Sequence, residues 1–335
     1  MRRPTLRFLL ALVALALPGL SRADTRVLCA FDPAGKSGDY YKMMQDLGVE
    51  SQTWGTTLDI RAYTDEETAA KDYDAGHCDA VLATGVRLQR FNRFSSTIEA
   101  IGAAPTYTIL KQAIDSLNKY ESAAARLKSG DHETAGILPV GAVYLFLRDR
   151  NIDTVPELAG KRIATMDYDK AAPVMVDRVG GVMVPADLGS IGPKFNNGDV
   201  DAAYASAPAY KPFELWRGIG TKGGIVKLPL AQATLQLLIH SSKFPPDFGK
   251  KSRVFLAGKF DAAIALVKKA ESEIPAASWI TIKPTDVPAF DEMFQAVRIQ
   301  IRDQIKGYDG TMLSMLKKLR CASDATRSEC VEQKE

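Results

Sequence analysis

A phrase of thirteen residues occurs twice in this chain: residues 73–85 read YDAGHCDAVLATG, and 122 positions later residues 195–207 read FNNGDVDAAYASA. In each copy a helical stretch closes on a glycine, Gly76 or Gly198, the residue type that takes up a left-handed helix cap without strain. Three residues on, Asp79 or Asp201 opens a short apolar run that ends at Thr84 or Ser206. Such runs, bounded by turn residues, suit strands buried on both faces of a parallel sheet. The repetition predicts two similar α/β units. If the units face each other, Thr84 and Ser206 meet in one crevice, because ligands of open α/β sheets bind beyond the carboxyl ends of the strands. Glycine-turn-strand phrases also recur by chance, so the rest of the chain has to agree.

Residues Arg2, Arg3 and Arg7 precede an apolar run at 8–17, followed by Pro18 and the small-x-small triplet Ser21-Arg22-Ala23. That is the pattern of a secretory leader cut after Ala23, and its apolar run is too short to span a bilayer comfortably. Cys29 follows Arg26-Val27-Leu28 rather than small residues, so no lipid-attachment box is present. The expectation is an exported, periplasmic protein. The leader carries four of the 43 basic residues and no acid, so its removal leaves 39 against 40 acidic residues, a net charge of −1. The basic balance belongs to the leader, and nucleic-acid binding has no support in it. The remaining 312 residues suit two domains of ordinary size.

Four cysteines enter an oxidising compartment, where disulfides form. Cys321 and Cys330 lie close together beyond the last helical pattern and suit a local clasp, which leaves Cys29 and Cys78 in the first unit. Three pairings are open, as are buried free thiols. Each closed bridge is worth roughly 2–4 kcal/mol.

Strands are predicted at 25–31, 58–63 and 79–83, alternating with helices at 40–47 and 66–74, which argues for a parallel sheet. Apolar, β-branched runs at 98–104 and 133–147 read as strands returning across it. At 155–165, VPELAGKRIAT places Pro156 in the first turn of a short helix and Gly160 at its end, before a strand at 161–165 that opens the second unit. A helix at 173–179, a strand at 181–184 and the second copy of the phrase follow, and 235–239 reads as a strand returning to the first unit. Two crossovers make a hinge, and closure around a ligand is in the repertoire of hinged domains. The tail is helical: Phe290, Met293, Phe294, Val297, Ile301 and Ile305 recur at three- and four-residue steps, and Met312, Met315, Leu316 and Leu319 continue a stripe best read as core packing. The predicted partition is a leader at 1–23, a first lobe at 24–140 plus 236–335 including the helical tail, and a second lobe at 141–235.

The GKRI entry after VPELA, the stretch FNNGDVDAAYASAPAYKPFELWRGIG and the return strand before Lys243-Phe244-Pro245 resemble the second lobe of periplasmic solute-binding proteins, the class serving tripartite ATP-independent (TRAP) transporters being the most similar. The segments CAFDPAGKSGDYY, FNNG, GYDGTML and KKLRC resemble a proteobacterial family of uncharacterised solute-binding proteins. The resemblance covers most of the mature chain. It implies a type II periplasmic-binding-protein fold, two α/β lobes joined by crossover strands, that captures a small solute, anions included, and delivers it to integral-membrane transporter subunits. One departure matters. TRAP-type proteins usually carry an arginine just after this GK-R-I entry, where it pairs a substrate carboxylate, and here Ala164 and Thr165 stand there; Arg87 or Arg162 are the candidate substitutes.

The strand-end rule nominates ligand contacts: Asp32, Ser37, Thr84, Arg87, Thr106 and Tyr107 from the first unit, and Thr165, Asp167, Tyr168, Ser206, Tyr210 and Trp216 from the second. Residues 30–37 satisfy a relaxed phosphate-loop pattern, yet Ala30 replaces its first glycine and Pro33 lacks an N–H to cradle phosphate. The helix starting near Asp39 remains able to receive an anionic ligand group at its N-terminus. His77, His132 and His240 lack metal-ligand spacing, no cofactor motif is present, and no acid, base and nucleophile converge in the sequence. A binding protein rather than an enzyme is expected. The rival readings are an accessory component of an envelope efflux system and an exported enzyme on the binding-protein fold.

Overall fold

The computed structural model describes residues 24–332; the leader and its cut after Ala23 lie outside them. The first unit runs β1 (Asp24–Phe31), helix Asp39–Gln52, β2 (Thr56–Tyr63), helix Glu66–Asp74 and β3 (Ala80–Thr84). Helix Glu66–Asp74 starts where it does because the Asp65 carboxylate caps the Thr68 N–H, with Glu66 and Glu67 against the positive end of the helix dipole. After helix Tyr107–Lys119 come β4 (Lys128–Ser129) and the 16-residue β5 (His132–Leu147). The second unit repeats the plan with β6 (Arg162–Met166), helix Ala171–Arg178, β7 (Val182–Ala186), helix Ile191–Asn197 and β8 (Ala202–Ser206). The 17-residue β9 (Gly224–His240) follows, and β10 (Trp279–Ile280) pairs with its first residues.

Strand order is β2-β1-β3-β9-β5-β8-β6-β7. Counting from either edge, each half has its second strand outermost, then its first, its third, and an antiparallel long strand, so the doubled phrase corresponds to a doubled sheet. The long strands β5 and β9 pair with each other and run through both units, so the halves share one hydrogen-bonded ladder instead of closing two separate sheets. That ladder is interrupted at the crossover, with register shifts at Thr134/Gly136, Pro139/Gly141 and Val143/Leu145. Pro139 cannot donate to the ladder and Gly141 sits at φ 118°, a conformation that admits glycine and strains other residues. The predicted return strand at 235–239 is the second half of β9.

The run at 98–104 is not a strand. It forms a 3-10 turn over Thr97–Glu99 and then irregular turns, and Gly102, at φ 61°, lets Phe294 pack where a Cβ would lie 2.7 Å from its ring. Ile98, Ala100 and Ala103 are fully buried, so this run is apolar for tertiary packing and not for strand pairing.

Three apolar clusters fill the molecule. Leu28, Leu82 and Leu238 centre the first unit, and Phe146, Phe195 and Ala203 the second. The third joins Phe294, Val297 and Leu316 of the tail to Leu117 of the first unit and Val176 of the second. Helix Val287–Gln300 packs on helix Ala171–Arg178, and helix Gly310–Ser323 on Tyr107–Lys119, so the tail touches both halves. Burying each of these large apolar side chains contributes about 1.5–3 kcal/mol.

The cysteines pair as Cys29–Cys78 and Cys321–Cys330. The second bridge pins the short helix Ser328–Glu332 so that Glu329, 3 % exposed, accepts from Arg320 at 2.6 and 2.9 Å and from Arg298 at 2.5 Å. Arg298 and Arg320 also donate to the carbonyls of Ile101 and Ala103, which ties the tail to the 98–104 turns.

Candidate functional site

The repeated aspartates do the same structural task in both units. The Asp79 carboxylate accepts the Val27 N–H at 2.8 Å, the Asp79 N–H donates to the Val27 carbonyl, and its own carbonyl accepts from His240 at the end of β9. Asp201 accepts the Arg162 N–H at 2.9 Å, donates to the Arg162 carbonyl, and accepts from Arg148 at the end of β5. Each aspartate thus clamps the start of the first strand and the end of the long strand onto the third. Gly76 and Gly198, at φ 76° and 84°, make the turn that delivers it. The opposite ends of the same strands are left free to line a ligand site.

They line a cleft of about 960 Å³, walled by both units and floored by the β5–β9 crossover at Val140, Val143, 230–233 and Leu235. Of the sequence-nominated residues, Asp32, Ser37, Thr84, Arg87, Tyr168 and Ser206 lie on its wall. Arg87 and Tyr168 meet across it: the guanidinium lies 3.5 Å over the Tyr168 ring, a cation–π contact. Beneath them sits Glu66, 2 % exposed, which accepts the Thr84 N–H at 2.6 Å and the Tyr168 hydroxyl at 3.3 Å and faces Arg87 Nε at 3.6 Å. Burial pushes the Glu66 carboxyl up against the pull of these partners, and it pushes the Tyr168 hydroxyl well up. One ligand candidate from each unit is therefore already joined around a buried carboxylate.

Asp32 has a different task from the one nominated. Its carboxylate accepts the N–H groups of Ala34, Tyr40 and Tyr41 at 2.9–3.1 Å, filling the N-terminus of helix Asp39–Gln52 that the sequence left open for an anionic ligand group. Gly38 permits this, since a Cβ there would overlap the Asp32 carboxylate at 2.0 Å. Ser37 on the same loop donates to the Ala34 carbonyl.

The remaining nominees lie away from the cleft wall. Thr106 caps helix Tyr107–Lys119 through the Ile109 N–H. Tyr107 donates to Glu271 at 2.5 Å and accepts the Ala142 N–H, bracing the crossover from behind. Thr165 is buried and its hydroxyl bonds the Ile163 carbonyl, while Asp167 is exposed with its N–H on Ala186. Tyr210 and Trp216 border a separate surface hollow with Lys211 and Pro275, because the 3-10 turn Ala207–Ala209 redirects the chain after Ser206. Arg162 pairs with Asp201 at 2.7 Å at the start of β6, the end remote from the cleft, so it does not replace a cleft arginine.

Several wall residues escaped the sequence reading. Glu99 accepts the N–H groups of Gly85, Val86 and Thr234 and the Thr234 hydroxyl, and burial pushes its carboxyl up to about 8 against those donors. Asp169 accepts from the Ala171 and Ala172 N–H groups and from Tyr204, and burial raises its carboxyl too. Gln232, on β9 at the crossover, is 1 % exposed. The signal for Gln232 was present: Gln232, Thr234 and Gln236 alternate along the largely buried second half of β9, a polar face where little faces solvent. Among the described residues no group of three or more histidine, cysteine or acidic side chains is placed to hold a metal ion, and no helix is long and apolar enough to cross a membrane.

A family model described as "Solute-binding protein AdeT 1/2" matches residues 43–335. The chain is 38 % identical over 302 residues to the "Probable solute-binding protein AdeT1" of Acinetobacter baumannii, covering 90 % of this chain and 98 % of that one. Solved structures share the fold at low identity. A TRAP periplasmic solute-binding protein from Desulfovibrio desulfuricans with bound sn-glycerol-3-phosphate matches at a TM-score of 0.72 and 12 % identity, over 88 % of this chain and 97 % of that one. One from Desulfovibrio salexigens with bound orotic acid matches at 0.70 and 12 % identity, over 89 % and 99 %.

Proposed function

The chain belongs to the AdeT 1/2 family of solute-binding proteins, and from that premise we propose that it is an exported receptor whose two lobes close on a small solute and deliver it to the membrane subunits of a TRAP-like transporter. Export uses the leader at 1–23, cut after Ala23. The lobes are 24–140 with 236–335, and 141–235, turning about the irregular crossover near Pro139, Gly141 and Ala233. The solute contacts Ser37, Thr84, Arg87, Tyr168 and Ser206, together with Glu66 and Gln232. The protein acts by binding, not by catalysis.

The observation that carries this reading is the cleft of about 960 Å³ at the carboxyl ends of both strand sets, a volume suited to a small organic solute. The Arg87–Tyr168–Glu66 contact, made by both halves, is what a closing motion would form. Small-angle scattering and thermal unfolding of the mature protein across a metabolite panel test it. A bound solute raises the melting temperature and shrinks the radius of gyration. A particle of fixed dimensions that no solute stabilises would overturn solute capture and favour the efflux-accessory role, which predicts that pump components are captured whether or not a solute is present.

A further inference from the structure

Resting on the cleft as a solute site, we infer that its solute is an organic cation, a molecule carrying ammonium or guanidinium groups. The wall holds nine carboxylates and two cations, Arg87 and Lys269. Arg87 is ion-paired with Glu66 at 3.6 Å and lies over the Tyr168 ring, its Nε making no hydrogen bond among the described residues, and Lys269 is exposed. The one positive charge deep in the cleft, Arg87, is already ion-paired with Glu66, acidic groups outnumber basic ones on the wall even with Glu99 neutral at pH 7, and a concave wall with an excess of one sign concentrates the opposite ion.

A second observation is independent of the acids. The side-chain oxygen Oε1 of Gln232, on the cleft wall and in a residue 1 % exposed, has no hydrogen-bond partner among the described residues. A buried acceptor without a donor is costly, and a solute N–H satisfies it. Third, the wall carries Phe31, Tyr40, Tyr168, Tyr204, Phe213 and Tyr308. Aromatic faces and carboxylates together are the chemistry that holds organic cations, and Arg87 over Tyr168 shows this wall holding a guanidinium of its own. Glu66, Glu99 and Asp169, raised by burial, gain most from a cation beside them.

Isothermal titration of the mature protein with agmatine, putrescine and choline, against malonate and pyroglutamate, tests the inference. At least one amine is expected to bind while the two carboxylates do not, and the amine affinity falls as salt is raised. Gln232→Met weakens that amine about tenfold, the loss expected for one hydrogen bond from a charged donor. The double variant Glu67→Gln, Asp187→Asn, at exposed or half-buried wall positions, weakens it several-fold with unchanged circular dichroism. Silence from all three amines overturns the inference. A carboxylate signal in their place does so while leaving solute capture standing. Amine binding indifferent to both variants places the cation elsewhere and overturns it as well.

Discussion

The two units are copies in backbone plan and opposites in how that plan is secured. In the first, Asp79 clamps β1 to β3, and one residue before it Cys78 bridges to Cys29 on β1. In the second, Asp201 makes the same clamp, but the positions matching Cys29 and Cys78 are Ala164 and Val200, both fully buried. There the reinforcement is ionic, Arg162 on Asp201 and Arg148 on the Phe195 carbonyl. A covalent staple restricts the unfolded chain whatever the solution conditions, whereas a half-exposed ion pair weakens with salt. The first unit is thus held covalently where the second is held by ionic contacts alone.

The comparison breaks first at the staple. Replacing Cys29 and Cys78 by alanine is expected to cost roughly 2–4 kcal/mol, seen as a fall in melting temperature; an unchanged melting temperature would deny the first unit its advantage. Next come the clamps. Asp79→Ala and Asp201→Ala each remove the acceptor of one strand N–H, half-buried at Val27 and exposed at Arg162, at about 0.5–1.5 kcal/mol, and urea unfolding of the oxidised protein should show Asp79→Ala as the milder, with the difference vanishing in the Cys29→Ala, Cys78→Ala background. Equal costs in both backgrounds would mean the bridge does not share the aspartate's task.

Comparable in size is the contact between units. Tyr168→Ala removes the ring under Arg87, about 0.5–2 kcal/mol, and should shift solute-free scattering toward the open form while the melting temperature moves little. The smallest effect is at the base of the first unit, where Tyr73 stacks on His240 and its hydroxyl meets His132 Nδ1 at 2.8 Å. Burial, with His240 adding to it, lowers the His132 pKa despite the opposing pull of Asp131 and Asp74. A neutral form favoured by folding gives stability that is full above the unfolded value of about 6.5 and is lost as pH falls through the lower folded value. Melting temperatures from pH 7.5 to 5 should therefore decline less steeply in His132→Gln than in the parent protein.

The fold was largely legible because its signals are local. The glycines that turn each helix into a strand, the aspartates after them and the hydroxyls at the strand ends repeat at matching spacing, and the structure places Thr84 and Ser206 on one cleft wall. The run at 98–104 misled for the converse reason: an apolar, β-branched run marks burial, and Gly102 beneath Phe294 turns that burial into tail packing. At the site, Tyr168 and Arg87 could be nominated one by one, but not their contact. Glu99 lay hidden inside the misread run, and Asp32 gave no sign that it would cap its own loop.

Sequence alone settled the repetition of the two units, their α/β character and the glycine turns that precede each third strand, since these follow from backbone preferences acting over a dozen residues. Only the tertiary structure decided which polar groups face the cleft and which are consumed. Arg87 loses its freedom to Glu66 and Tyr168, Asp32 spends its carboxylate on a helix end, and Gln232 keeps an acceptor open. Whether a charge is available to a ligand depends on partners from distant segments, and those distances are set when the two halves pack across β5 and β9.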